Sequence, residues 1–222
     1  MKDLTLIIPA KFEKESLPLV LGELEKYDVK KIIVLQEDDH ETINSISNFS
    51  CEIVFQKKLG YGSALIEGIN NCKTKYLCIF NADGSFDPKE LPGMYDLLKN
   101  NQAVFGSRYK NKFSGSDDDT WVTLIGNKIF TLMGNFFLKI KISDILYTYF
   151  IANTNLMKSL KLNCNDFRIC IEIPLKIKNS KERYCDFASY ERKRIKGFKK
   201  VNELKDGFLI LTYILKSIFL KT

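Results

Sequence analysis

Residues 80–88 read FNADGSFDP: an apolar run ends, and Asp83 and Asp87 follow in a segment that contains Gly84 and closes on Pro88. Oxygen-bearing side chains gathered where a strand ends suit a hard divalent cation such as Mg²⁺ or Mn²⁺. The residue two before Asp83 is Asn81, a neutral amide, so the segment reads as a cation site, a weakened cation site or a turn. Further polar and glycine-rich stretches are spaced along the same half of the chain: Pro9–Glu13, Gln36–Asp39, Gly60–Gly62 and Gly106–Arg108. The only histidine is His40 and none of the six cysteines forms a CxxC pair, which argues against zinc.

These residues need elements to place them. LTLII (4–8), KIIVL (31–35), CEIVF (51–55), KYLCIF (75–80) and AVFGS (103–107) are short apolar runs of strand length. Between them lie helical patterns: one capped by Ser16, with Pro18 in its first turn, one over 62–72, and one from Pro88 to Leu98. Such alternation implies βαβ units and an α/β fold with a mostly parallel sheet. Ligands of such sheets bind beyond the carboxyl ends of the strands, where all the stretches above fall.

The second half is less regular. KNKFSGSDDDT (110–120) reads as a mobile polar loop with a solvated acid run at Asp117–Asp119. WVTLIGNKIFTLMGNFFL (121–138) contains Asn127, Lys128 and Asn135, so it reads as a packed or membrane-facing helix rather than a span. RYCDFASYERKR (183–194) reads as a late strand. In 204–220, apolar residues at 204, 208, 211, 215 and 218 form a helical stripe, which could dock on the domain, lie in a membrane interface or meet a partner.

The chain has 222 residues, 45% hydrophobic and 27% charged, enough for one sizeable domain. A net charge of +7 favours anionic partners or describes a solvated basic surface. Aromatic residues sit within apolar runs rather than among the basic ones, which argues against nucleic acid. MKDLTLIIPA does not read as a signal peptide, and thiols without a pairing pattern fit a cytoplasmic protein.

The order IIPAxxE, GYGSALIEGI, NADGSFDP, VFGSRY, D-x-x-x-T-Y-F and ERKRIKGFKK, over roughly residues 4–200, resembles the family 2 glycosyltransferases, and among them the dolichyl- or polyprenyl-phosphate sugar synthases. The resemblance implies a GT-A fold over 1–200, followed by a C-terminal amphipathic helix over 201–222. It implies an inverting hexosyltransferase that takes a nucleoside-diphosphate sugar with Mg²⁺ or Mn²⁺. Pro9, Ala10, Glu13 and Gln36 would line the nucleotide site, with Gly60 and Gly62 as a tight backbone ahead of a helix or as plain turn glycines. Asn81, Ala82 and Asp83 match the DxD motif, Asp83 as its second acid. Arg108 matches an arginine facing phosphates, and Arg194 and Lys200 match R-x-x-G-x-x-K around Gly197, which closes over the donor.

The departures from the family pattern are Phe12 for an asparagine, Gln36 and Glu37 for paired aspartates, Asn81 for the first DxD acid, Ser85 for a glutamine and Thr148 for a glycine. A phosphate acceptor needs no base, whereas a hydroxyl acceptor needs a carboxylate. Asp144 and Glu172 align with that role, and read equally well as a helix cap and a surface acid. The preferred expectation is transfer to a lipid-phosphate acceptor by a protein peripheral at the inner face of a membrane, with room for a membrane-anchored partner subunit. Transfer to a glycan hydroxyl and a catalytically silent nucleotide-binding or scaffold subunit are the alternatives.

Overall fold

The computed structural model describes residues 1–196 and 202–219. Lys200 and Gly197 therefore lie outside the described residues. A seven-stranded sheet runs in the order β3-β2-β1-β4-β7-β5-β8. Its strands are β1 (Leu4–Pro9), β2 (Lys30–Leu35), β3 (Glu52–Phe55), β4 (Tyr76–Ile79), β5 (Ala103–Ser107), β7 (Phe150–Asn153) and β8 (Tyr184–Ala188). All pairings are parallel except those of β7, which runs antiparallel to both β4 and β5. The fold is the expected α/β architecture with a mostly parallel sheet and helices on both faces.

The strands fold as they do because both faces are covered. In β1, Leu4, Leu6 and Ile8 belong to one buried layer and Ile7 to the other, the period of two that a pleated strand imposes. One layer is closed by α1 (Leu17–Leu24) and α4 (Leu91–Leu97), the other by α3 (Tyr61–Asn71) and α7 (Ile169–Asn179). The short helices α2 (His40–Ser45) and α6 (Thr154–Ser159) complete the flanks. From β1 the chain winds outward through β2 to β3, then returns to place β4 on the other side of β1. That reversal opens a crevice at the carboxyl ends of β1 and β4, where ligands of doubly wound sheets bind.

Three sequence expectations are corrected. Ser16 does not cap α1 with its side chain; its hydroxyl donates to Glu13 Oε2 at 2.5 Å. The 110–120 stretch contains a strand, β6 (Gly115–Ser116), paired in parallel with β9 (Tyr190–Glu191). Its acids are not simply solvated, because Asp118 and Asp119 form ion pairs with arginines. The apolar stretch after it forms α5 (Trp121–Met133), which ends in a π-helical turn over Gly134–Leu138. The C-terminal helix α8 (Glu203–Phe219) buries Ile210 and Ile214 in the core and packs beside α5 and α7. No described helix is long and apolar enough to cross a membrane.

Gly62 has a packing role that its place in a glycine-rich turn does not reveal. A Cβ there would lie 2.1 Å from the Cys164 carbonyl oxygen and 2.8 Å from that of Asp166. At Gly60 it would lie 2.2 Å from the Asn165 carbonyl oxygen. The two glycines let α3 start against the 164–166 backbone. Gly62→Ala should therefore destabilise the fold by about 1–3 kcal/mol, the usual cost of overpacking against atoms that cannot turn aside. A thermal melt indistinguishable from that of the parent would refute this packing role.

Candidate active site

A cleft of about 430 Å³ opens at the carboxyl ends of β1 and β4. The structure brings Pro9, Ala10, Glu13, Gln36, Gly60, Asn81, Ala82, Asp83, Arg108 and Arg194 together around it. Gly62 backs onto residues 164–166 instead and does not line the cleft. Neither Asp144 nor Glu172 lines it.

The Asn81–Ser85 turn is built from its own side chains. Asp83 Oδ1 accepts the Ser85 amide at 3.0 Å, and Asn81 Nδ2 donates to Ser85 Oγ at 3.3 Å. Gly84 holds φ at +82°, and a Cβ there would meet the Ile195 side chain at 2.5 Å. The 192–195 segment is laced onto the same turn: Arg192 N donates to the Ser85 carbonyl and Ile195 N to the Asp83 carbonyl, both at 2.8 Å. This brings Arg194 over Asp83. Its guanidinium holds Asp118 in two hydrogen bonds of 2.5 and 3.1 Å and stands 3.8 Å from Asp83 Oδ2.

The donor set can hold a cation only in part. Asp83 Oδ2 is beyond hydrogen-bond reach of Arg194 and can turn to a metal ion, and the Asn81 amide oxygen can be a second ligand, a neutral one. No group of three acidic, histidine or cysteine side chains with metal-binding geometry occurs among the described residues. These residues fit a cation that also takes oxygens from a bound diphosphate.

Arg108 is placed differently from the sequence expectation. It follows β5 and reaches the cleft wall, but its guanidinium is held by three carboxylates. Nε donates to Asp144 Oδ2 at 2.7 Å and Nη2 to Asp144 Oδ1 at 3.1 Å, a bidentate pair. Nη1 reaches Glu191 at 3.1 Å and Asp119 at 3.4 Å. The Tyr147 and Tyr109 rings lie 4.7 and 5.2 Å from it. Burial pushes the Glu191 carboxyl above its ordinary range, while Arg108 pulls it back. Asp144 is wholly buried with both oxygens on Arg108, so it is not placed to take a proton from an acceptor. Glu172 is no surface acid either: its side chain is fully buried, caps the Asn163 and Cys164 amides and pairs with Lys176.

Asp118, Asp119, Glu191 and Tyr147 line the cleft although the sequence assigns none of them a site role. Only the acid run at 117–119 gave a local signal, and nothing in it pointed inward.

A profile of glycosyl transferase family 2 matches residues 5–160. The chain belongs to this family. Two curated relatives, uncharacterized glycosyltransferases of Mycobacterium bovis and Mycobacterium tuberculosis, are 30% identical over 105 residues, which are 47% of this chain and 48% of theirs. The chain thus spans about half the length of the curated relatives it matches. Among solved structures, glucosyl-3-phosphoglycerate synthase of M. tuberculosis with Mn²⁺, uridine diphosphate and glucosyl-3-phosphoglycerate superposes with a TM-score of 0.73 at 15% identity, covering 97% of this chain and 80% of that one. The same enzyme with Mg²⁺ and uridine diphosphate gives 0.71 at 15% identity, covering 97% and 79%. This similarity shows the fold.

The family 2 framework makes the departures legible as geometry. Phe12 stands where the family pattern has asparagine, and it keeps a left-handed backbone with φ of 54°, a conformation asparagine adopts far more readily than phenylalanine. Its amide donates to Asp39 Oδ2 at 2.7 Å, which holds the first turn beside α2. Thr148, in place of glycine, accepts a hydrogen bond from the Tyr61 hydroxyl at 2.9 Å.

Proposed function

We propose that this family 2 glycosyltransferase moves a sugar from a nucleoside-diphosphate sugar to a polyprenyl-phosphate-type lipid acceptor, with inversion at the anomeric carbon. The observation that carries the reading is the cleft itself: Asn81, Asp83 and Arg194 meet at the switch point of the sheet, facing a wall that includes Leu59, Leu146, Phe167 and Ile210. The solved glucosyl-3-phosphoglycerate synthase, which shares the fold, binds uridine diphosphate with Mn²⁺ or Mg²⁺, and binds uridine-diphosphate-glucose in a further complex. Here Asp83 and Asn81 would hold the cation, which would neutralise the charge that develops on the leaving diphosphate. Arg194 sits beside Asp83 and can add a second positive charge to those oxygens.

The state of the carboxylates favours an acceptor that is already anionic. Asp119 and Glu191 are on Arg108, Asp118 is on Arg194, and Asp144 is buried behind them. A phosphate oxygen attacks without giving up a proton, so it needs none of them as a base. The second reading, a catalytically silent nucleotide-binding subunit, is favoured by Asn81, which removes one anionic ligand.

The test incubates the protein with labelled uridine- and guanosine-diphosphate sugars, Mn²⁺ and, in detergent, polyprenyl phosphate together with phosphoglycerate as competing acceptors, and measures nucleotide binding alongside. The expected product is label in an acid-labile, organic-extractable lipid. Label transferred only to a small phosphorylated acid such as phosphoglycerate would refute the lipid acceptor. Nucleotide binding with no sugar release from any donor would establish the silent subunit.

A further inference from the structure

Two helices that wall the cleft also carry apolar surface that no described residue covers. On α5 and the π-helical turn that ends it, Trp121, Ile125, Ile129, Leu132 and Phe136 recur every three or four residues, the spacing of one helix face. All five are exposed, Trp121 to 81% and Leu132 to 68%. The helix meets the core through other residues, among them Phe130 and Met133. α8 has the same double character. Ile210 and Ile214 are buried, while Leu204, Phe208, Leu215 and Phe219 of the sequence stripe and its end remain exposed. Scattered apolar residues on a surface need no explanation, but a continuous stripe of large ones marks an interaction site.

The charge around this surface is mostly positive. From Thr120 to Ser143 the chain carries Lys128, Lys139 and Lys141 and no acid. The Lys139 ammonium lies 5.2 Å from the Phe136 ring centre, so cation and apolar group share one patch. α8 adds exposed Lys205 and Lys216 against one exposed acid, Glu203, and its Asp206 is turned inward to accept the Asn202 amide at 2.8 Å. Large apolar side chains among lysines match the boundary between acyl chains and anionic headgroups. A second copy of the chain would instead bring the same lysines against these, a like-charge contact that opposes pairing.

We infer that the α5 face, continued by the exposed side of α8, docks onto an anionic lipid bilayer. Thr123 and Asn127 of α5 and Ile210 of α8 line the cleft, so docking sets the cleft beside the headgroup layer. Only the consequence for catalysis, delivery of a lipid-borne phosphate, rests on the proposed function.

The test sediments the protein with vesicles of phosphatidylcholine, with and without phosphatidylglycerol as about a third of the lipid, in the absence of donor and acceptor. Binding to the anionic vesicles should be at least about tenfold stronger and should weaken as salt rises. Ile125→Ser/Ile129→Ser/Phe136→Ser should lower that binding by at least about tenfold while its melting temperature stays near the parent's, because exposed positions contribute little to the core. Lys128→Glu/Lys139→Glu should erase the preference for anionic lipid while leaving the apolar stripe intact. Equal binding by parent and triple variant would overturn the inference. So would equal binding to both vesicle types, or a solution dimer that the triple variant dissociates. Because no sugar chemistry enters the measurement, a failure here leaves the transferase reading standing, and failure of transfer leaves the docking result standing.

Discussion

Arg108→Met should destabilise the fold by about 3–5 kcal/mol, the cost of breaking a buried ion pair by removing one partner. For a chain of this size that is a fall in melting temperature on the order of 10 °C. The reason is the crowding of acids around a single guanidinium. Asp144, Asp119 and Glu191 all face Arg108, with side-chain exposures of 0%, 10% and 12%. Without the arginine, three carboxylates remain close together with little water to screen them. The fold would answer by taking up protons. Glu191 already sits above its ordinary range through burial, and Arg108 is what restrains it. In the variant its folded pKa should rise further above the unfolded value, so the folded state binds more protons than the unfolded one in that window. Stability of the variant must then increase as pH falls toward that raised pKa, and the deficit relative to the parent should shrink between neutral and mildly acidic pH. Thermal melts across that range read this directly. A variant with the parent's melting temperature that has lost only nucleotide affinity would show instead that Arg108 serves the phosphates.

Arg108 also shows where sequence reasoning reached its limit. Its position at the end of β5 was legible, because a short apolar run followed by Gly106 and Ser107 marks a strand end on the ligand-binding rim. Its partners were not legible. They come from residues 119, 144 and 191, and no local pattern announces that three distant segments converge. The same contrast holds for the sheet. β1 to β5 alternate with helices and declare themselves by period, but β7 inserts antiparallel between β4 and β5 from a stretch that the sequence leaves unassigned beyond Phe150, the last residue of a family motif. The acid run at 117–119 read as solvated because its neighbours are polar, and only the β6–β9 pairing shows why Asp118 meets Arg194. In α8 the apolar period correctly signalled a helix. It did not signal which face would be buried, since Ile210 and Ile214 dock while Phe208 and Phe219 do not.

Asp83→Asn should abolish the coupling between divalent cation and nucleotide. The parent site offers one carboxylate oxygen that can leave Arg194 and one amide oxygen from Asn81, a donor set too weakly charged to retain Mn²⁺ alone. Affinity for the bare ion should therefore be poor. With a nucleoside diphosphate present, phosphate oxygens complete the shell, and each ligand should tighten the other by the same factor, about tenfold or more. Removing the last acid of the motif leaves two neutral amides, and that factor should fall to one. Asn81→Asp acts in the opposite direction. It places a second carboxylate two residues from Asp83, on a turn already fixed by Ser85 and Gly84, and should raise Mn²⁺ affinity in the absence of nucleotide. Arg194 sets the scale of both effects, because its charge lies 3.8 Å from Asp83 Oδ2 and competes with the ion for that oxygen. Arg194→Gln should accordingly improve binding of Mn²⁺ alone while weakening binding of the diphosphate, a pair of opposite changes that loss of folding could not produce. Titration calorimetry of Mn²⁺ and of uridine diphosphate, each with and without the other, measures all four proteins on one footing. If parent and Asp83→Asn bind the nucleotide equally well with and without Mn²⁺, the site works without metal, and cationic side chains of the cleft such as Arg194 must meet the diphosphate charge in its place.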